Sequence, residues 1–201
     1  MEILPDFPSF KETFEKGKPQ VVWTTLLSDL ETPVSAMMKL SKGNKNAFLL
    51  ESVEGGANRG RYSFIGLEPD LIWRASGTQA EINTEALSKP NAFKACTSSV
   101  IESLRSVIQE TLIDLPDDLP PMAAGLVGYM SYDMVHLFER LPDDNPDVLN
   151  VPDGIFVRPT VVAVFDTIED TLKIITPVRT SANNDANTDA KIAYDEALKR
   201  L

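Results

Sequence analysis

Short apolar runs, each closed by glycine, proline or an acidic residue, dominate the pattern of this chain. QVVWTTLLSD, AFLLESV, RYSFIGLEP, DLIWRASGT and QAEINT all read as strands, rich in β-branched and aromatic residues and bounded by turn formers. The last four follow one another closely, which predicts an antiparallel meander. IFVRPTVVAVFDTIEDTLKIITPV predicts a hairpin, two β-branched runs flanking a turn near Glu169 and Asp170.

Between these runs the apolar period changes to that of a helix. SFKETFEKG predicts a short helix with Ser9 as N-cap, Glu12 at the capping-box position and Gly17 as stop. In TPVSAMMKLSKG, Thr32 caps a helix opened by Pro33 and closed by Gly43. Phe93, Cys96, Val100, Ile101, Leu104, Val107, Ile108 and Leu112 recur at helical spacing, a stripe suited to packing on a sheet. MAAGLVGYMSYDMVHLFERLP predicts a small-residue strand through Gly125 and Gly128, where backbones approach closely, then a helix over 131–138. The polar SANNDANTDA leads into a terminal helix, IAYDEALKRL, that ends without a C-cap and so looks cut.

Composition narrows the function classes. At 201 residues and 43% hydrophobic the chain can bury a real core. Nineteen basic residues against 30 acidic give a net charge of -11, which repels polyanions and argues against nucleic acid or an anionic membrane as partner. No apolar run reaches the roughly 18–20 residues of a membrane span, and MEILPDF has no basic n-region, so a cytoplasmic location is expected. Cys96 is the only cysteine, read as a passive, partly buried thiol; an internal disulfide or a cysteine-built metal site is excluded. Asp114, Asp117, Asp118, Asp143, Asp144, Asp147 and Asp153 sit in proline-containing segments, where Asp serves turn geometry. They lack the spacing of a calcium loop.

No catalytic constellation emerges, and no metal site. HExxH, GxSxG and Walker motifs are absent, and the only histidine, His136, has no matched nucleophile motif. GGANRGR offers backbone N–H groups to a phosphate, but strands rather than a helix follow it, so a hairpin connection is the simpler reading. The end of the LLES run poses the sharper question. A strand wanting only burial would not stop on Glu51 and Ser52. Either Ser52 bonds local backbone in a turn while Glu51 is solvated, or a polar ligand is met there.

LLES at Leu49–Ser52, GRYSFIGLEP at Gly60–Pro69 and GLVGYMSYDMVHLFERLP at Gly125–Pro142, in that order and spacing, closely resemble the N-terminal region of the anthranilate synthase component I family of chorismate-binding enzymes. The resemblance covers essentially the whole chain. It implies an α+β fold, mostly antiparallel sheets packed with flanking helices. It also implies that residues 1–201 are an N-terminal regulatory domain lacking the C-terminal chorismate-binding catalytic domain. In that family the full-length enzyme is a lyase that makes anthranilate and pyruvate from chorismate and ammonia, with Mg2+ bound in the missing half. Its ammonia comes from a glutamine amidotransferase subunit. This chain alone is then expected to be inactive, without cofactor and without catalytic residues.

The resemblance further implies a feedback site for L-tryptophan at Leu50, Glu51 and Ser52. A free amino acid needs an anion for its ammonium, donors for its carboxylate and an apolar slot for its indole. Glu51 can meet the ammonium, Ser52 can donate to the carboxylate, and Leu50 can touch the ring. Arg61 and Tyr62 are further candidates, although Arg61 also suits a structural ion pair. The alternative is a structural domain of aminodeoxychorismate synthase component I or another chorismate-using paralogue.

Overall fold

The computed structural model describes residues 2–41, 43, 45–51, 60–142, 146–179 and 189–201. In chain order these form β1 (Ile3–Leu4), α1 (Phe7–Glu15), β2 (Gln20–Leu27), α2 (Pro33–Leu40), β3 (Phe48–Leu50), β4 (Tyr62–Leu67), β5 (Leu71–Ser76), β6 (Gln79–Asn83) and β7 (Lys94–Ala95). There follow α3 (Val100–Thr111), β8 (Val127–Met130), a 3-10 helix (Tyr132–Leu137), β9 (Gly154–Arg158), β10 (Val161–Asp166), β11 (Thr171–Val178) and α4 (Ala190–Leu198). All strand pairs are antiparallel, in two sheets with flanking helices, the expected α+β class.

The chain divides into two compact units. The first comprises Met1–Glu68, Leu112–Gly125 and Pro159–Leu201. Its sheet has the order β1-β2-β11-β10-β4-β3. Alternation sends Val21, Trp23, Phe64, Val162, Val164 and Ile175 to one face, covered by Leu119 and Ala123. The opposite face buries Ile65, Val161, Ala163 and Phe165 beneath Ala36 of α2. Further along, Val22 packs with Phe10 of α1 and Tyr194 of α4. Phe10 is fully buried, worth about 1.5–3 kcal/mol, and its ring centroid lies 4.9 Å from that of Tyr194, whose hydroxyl donates to the Pro5 carbonyl at 2.9 Å.

The second unit comprises Pro69–Thr111 and Leu126–Arg158, with the sheet order β7-β6-β5-β9-β8. Its core gathers Leu71, Trp73, Val100, Leu104, Val107 and Met134. The fully buried Trp73 donates its indole N–H to Ser103 Oγ at 3.0 Å, so burial leaves that donor satisfied. Arg158 and Asp70 close a two-point ion pair, Nε–Oδ1 at 2.7 Å and Nη2–Oδ2 at 2.9 Å.

Several local expectations are corrected. The meander is broken after β4: β3 pairs with β4 in one sheet and β5 with β6 in the other. Glu68 takes a left-handed φ of 51° and Pro69 brings no N–H, which ends the ladder at that point. The expected hairpin contains three strands, because the IFVR run, β9, joins β5, and Pro159 separates it from the true hairpin β10–β11. That hairpin turns where expected, with Asp170 at φ 50°.

The caps also shift. Helix α1 begins three residues early because Asp6, not Ser9, is the N-cap, its Oδ1 accepting from Ser9 N at 3.0 Å. Thr32 caps α2 as expected, in a reciprocal box with Ser35. Helix α3 starts only at Val100, where Ser99 and Glu102 form a capping box. Phe93 and Cys96 belong instead to the edge of the sheet. The Phe93 ring lies 3.8 Å beneath the Arg74 guanidinium, and Cys96 N donates to the Ala80 carbonyl. The helix expected over 131–138 is a 3-10 helix with a single buried side chain, Met134, too narrow a stripe to hold a longer α-helix on the core. The polar linker before α4 falls largely outside the described residues.

Candidate functional site

β3 is three residues long and, among the described residues, lies at the sheet edge, paired with β4 alone in the register Phe48↔Gly66, Leu49↔Ile65, Leu50↔Phe64. Leu49 turns inward, beside Ile65 and Leu67. Leu50 points to the opposite face and is 39% exposed, and Glu51 follows it into solvent. Among the described residues Glu51 has no hydrogen-bond or ion-pair partner. Ser52 and most of the glycine-rich loop lie outside the described residues. The strand end therefore presents an exposed apolar side chain followed in sequence by an exposed carboxylate.

Arg61 and Tyr62, at the start of β4, meet different surroundings. Arg61 Nε donates to both carboxylate oxygens of Asp166 at 2.9 Å, and Nη2 approaches Oδ2 at 2.7 Å and Glu169 Oε1 at 3.7 Å. This pair holds the Asp166 carboxyl below the usual aspartate range and the guanidinium above its own. The guanidinium also lies 5.0 Å from the Tyr62 ring centre, and Tyr62 packs on Phe64.

Both residues line a cleft of about 630 Å³ on the sheet face covered by Leu119, in the size range of small-molecule sites. Trp23 and Val164 give it apolar walls, while Lys173, Asp117 and Asp118 bring charge. Leu50 and Glu51 are not part of this lining. The structure thus brings Arg61 and Tyr62 together and leaves Leu50 and Glu51 at the neighbouring strand end.

Elsewhere the chemistry is sparse. His136 is exposed on the 3-10 helix. Asp147 and Asp153 serve loops, accepting from Leu149 and Asn150 amides and from Gly77 N, whereas Asp143 and Asp144 lie outside the described residues. Among the described residues, no three of His, Cys, Asp and Glu gather closely enough to hold a metal ion. No helix of the described residues is long and apolar enough to cross a membrane.

No protein-family model matches the chain. Anthranilate synthase component 1 of Cereibacter sphaeroides is 43% identical over 198 residues, 98% of this chain and 39% of that protein. The namesake from Thermus thermophilus is 39% identical over 155 residues, covering 77% of this chain and 31% of its own length. The chain belongs to the anthranilate synthase component 1 family. It corresponds to an N-terminal region and spans 39%, 31% and 38% of the length of the curated relatives from Cereibacter sphaeroides, Thermus thermophilus and Synechocystis. The crystal structure of anthranilate synthase component I from Streptococcus pneumoniae shares the fold, with a TM-score of 0.51 over 87% of this chain and 35% of that one at 19% identity.

Within this anthranilate synthase region, sequence reasoning missed Asp166, Trp23 and Lys173. Asp166 had a signal, since an acid ending the VVAVF run faces the first residue of β4 once the two strands pair, Asp166↔Tyr62. Trp23 and Lys173 sit on the face that period-2 alternation assigns to β2 and β11, but their meeting depends on a strand order that no local pattern carries.

Proposed function

We propose that this chain is the N-terminal, tryptophan-sensing region of a longer, cytoplasmic anthranilate synthase component I. The whole enzyme is a lyase of tryptophan biosynthesis, converting chorismate and ammonia to anthranilate and pyruvate with magnesium. A glutamine amidotransferase subunit supplies the ammonia, and a C-terminal domain packed on this region carries the chorismate and magnesium residues. The observation that carries this reading is the match across 98% of the chain to an N-terminal region of anthranilate synthase component 1 of Cereibacter sphaeroides.

The strand end at β3 supports the sensing role. Glu51, with no partner among the described residues, suits the ammonium of L-tryptophan, and the exposed Leu50 suits its indole. Ser52 and neighbouring backbone N–H groups suit the carboxylate. Inhibition is then a coupling free energy, tryptophan preferring one arrangement of the enzyme over the active one.

Inhibition curves at fixed chorismate test this. Ser52→Phe, which removes the hydroxyl and fills the slot, should raise the inhibition midpoint at least about tenfold. Glu51→Gln should do less, because the amide oxygen still accepts from the ammonium without charge assistance. A wild-type midpoint in Ser52→Phe would return the strand end to an ordinary turn.

A further inference from the structure

Gly66 has no room for a side chain. A Cβ built there would lie 2.2 Å from both Cε1 and Cζ of Phe48, so the phenyl ring occupies the space that any other residue would fill. Its backbone does not require glycine, since Gly66 is absent from the positive-φ positions of the fold. The requirement is the ring itself.

The two residues face each other across the β3–β4 pair. Because β3 is a three-residue strand bonded, among the described residues, on one side only, few ladder hydrogen bonds hold it, and its register depends on how its side chains seat. Phe48 is its first residue and Leu50, on the same face, its last. We propose that the seating of Phe48 on Gly66 positions the ligand-facing end of β3, making both residues positioning residues for tryptophan sensitivity. This rests on the reading of the β3 end as the tryptophan site.

Substitution at Gly66 acts through Phe48. The clashing atoms are the far end of a half-buried side chain, so in Gly66→Ala the ring swings off while the sheet core beneath is kept. β3 then loses its seat, and Leu50 and Glu51 move with it.

The test compares tryptophan inhibition of the full-length enzyme in Gly66→Ala, Phe48→Leu and the double variant, with KM for chorismate measured alongside. Gly66→Ala should raise the inhibition midpoint about tenfold, a larger change than in KM for chorismate. Phe48→Leu, which retires the ring without adding a clash, should raise it about threefold. The double variant should fall back towards Phe48→Leu, because the added methyl then has space. A wild-type midpoint in Gly66→Ala, a double variant as insensitive as Gly66→Ala, or a KM that shifts as much as the midpoint would overturn the proposal. If Gly66→Ala fails to fold, a wild-type midpoint in Phe48→Leu overturns it equally. Ser52→Phe run in parallel separates the two ideas: should it also keep the wild-type midpoint, the tryptophan site itself is misplaced.

Discussion

Arg61 and Asp166, 105 positions apart, meet where β4 begins and β10 ends, the guanidinium bonding both carboxylate oxygens. Asp166 is buried, with its side chain 5% exposed, whereas Arg61 is 41% exposed. The same carboxylate accepts from Ile168 N at 3.0 Å and Glu169 N at 3.3 Å, so it also organises the turn leading into β11. One side chain thus ties three consecutive strands of the sheet that carries the candidate site.

Asp166→Asn should cost about 1–3 kcal/mol of stability at neutral pH, by weakening several charge-assisted bonds at once. The pH dependence follows from the direction of the shift. Arg61, its largest cause, lowers the folded pKa of Asp166, so the contribution is fully present above about pH 4 and is lost as pH falls through the lowered value. Urea melts of both proteins at several pH values should show a gap that closes on acidification. A gap that widens towards low pH would contradict this account.

Gly128 is a glycine for a harder reason than Gly66. A Cβ there would lie 1.9 Å from the Ile155 carbonyl oxygen and 2.7 Å from Phe156 Cα, both backbone atoms of the neighbouring segment. Backbone cannot swing aside, so Gly128→Ala must part β8 from β9 and should cost upwards of about 1–3 kcal/mol. Gly77→Ala is the control, with open space around it but a φ of +54°, and should cost only about 1–2 kcal/mol. Thermal melts that rank the two variants the other way would refute the steric argument.

What the sequence made legible were features decided locally. Thr32-Pro33 marks the start of α2 because cap and first turn lie within three residues. SVIE at Ser99–Glu102 carried an equally local capping box for α3, but the apolar spacing of Phe93 and Cys96 extended the apparent helix backwards over it. Phe93 is apolar for a different purpose, seating Arg74, and periodicity does not distinguish the two. The partition of strands between two sheets turns on pairing partners about 90 residues apart, as in Leu71↔Arg158, which no window of the chain contains. The strand end at Leu50–Glu51 was readable as an oddity, an acid after an apolar run. The cleft holding Arg61 and Tyr62 was not, because it exists only once β2, β11, β10 and β4 lie side by side.

The 201-residue chain by itself should form no anthranilate from chorismate, magnesium and ammonia or glutamine. It spans 39% of its relative from Cereibacter sphaeroides, and in the proposed reading the chorismate residues lie beyond it. Anthranilate fluorescence is the readout. A signal above the enzyme-free control that survives repurification would place catalytic residues within this chain.

Tryptophan should bind this chain about a hundredfold more weakly than it binds the full-length enzyme. The groups assigned to the ligand stand on an open edge: Leu50 is 39% exposed, Glu51 is exposed, and neither lines the 630 Å³ cleft. Small-molecule sites bury most of their ligand's surface, and a single strand end covers one side of an indole. In the proposed reading the remaining contacts, and the exclusion of water that would strengthen a Glu51–ammonium bond, come from the C-terminal domain. Calorimetric titration of both proteins measures the difference. Equal affinities would mean that the pocket is complete within residues 1–201, and the cleft lined by Trp23, Tyr62 and Lys173 would then be the place to look. Lys173→Ala separates the cases: it should abolish binding if the cleft is the site, by removing the cation that meets the ligand carboxylate, and leave it unchanged if the ligand sits at the end of β3.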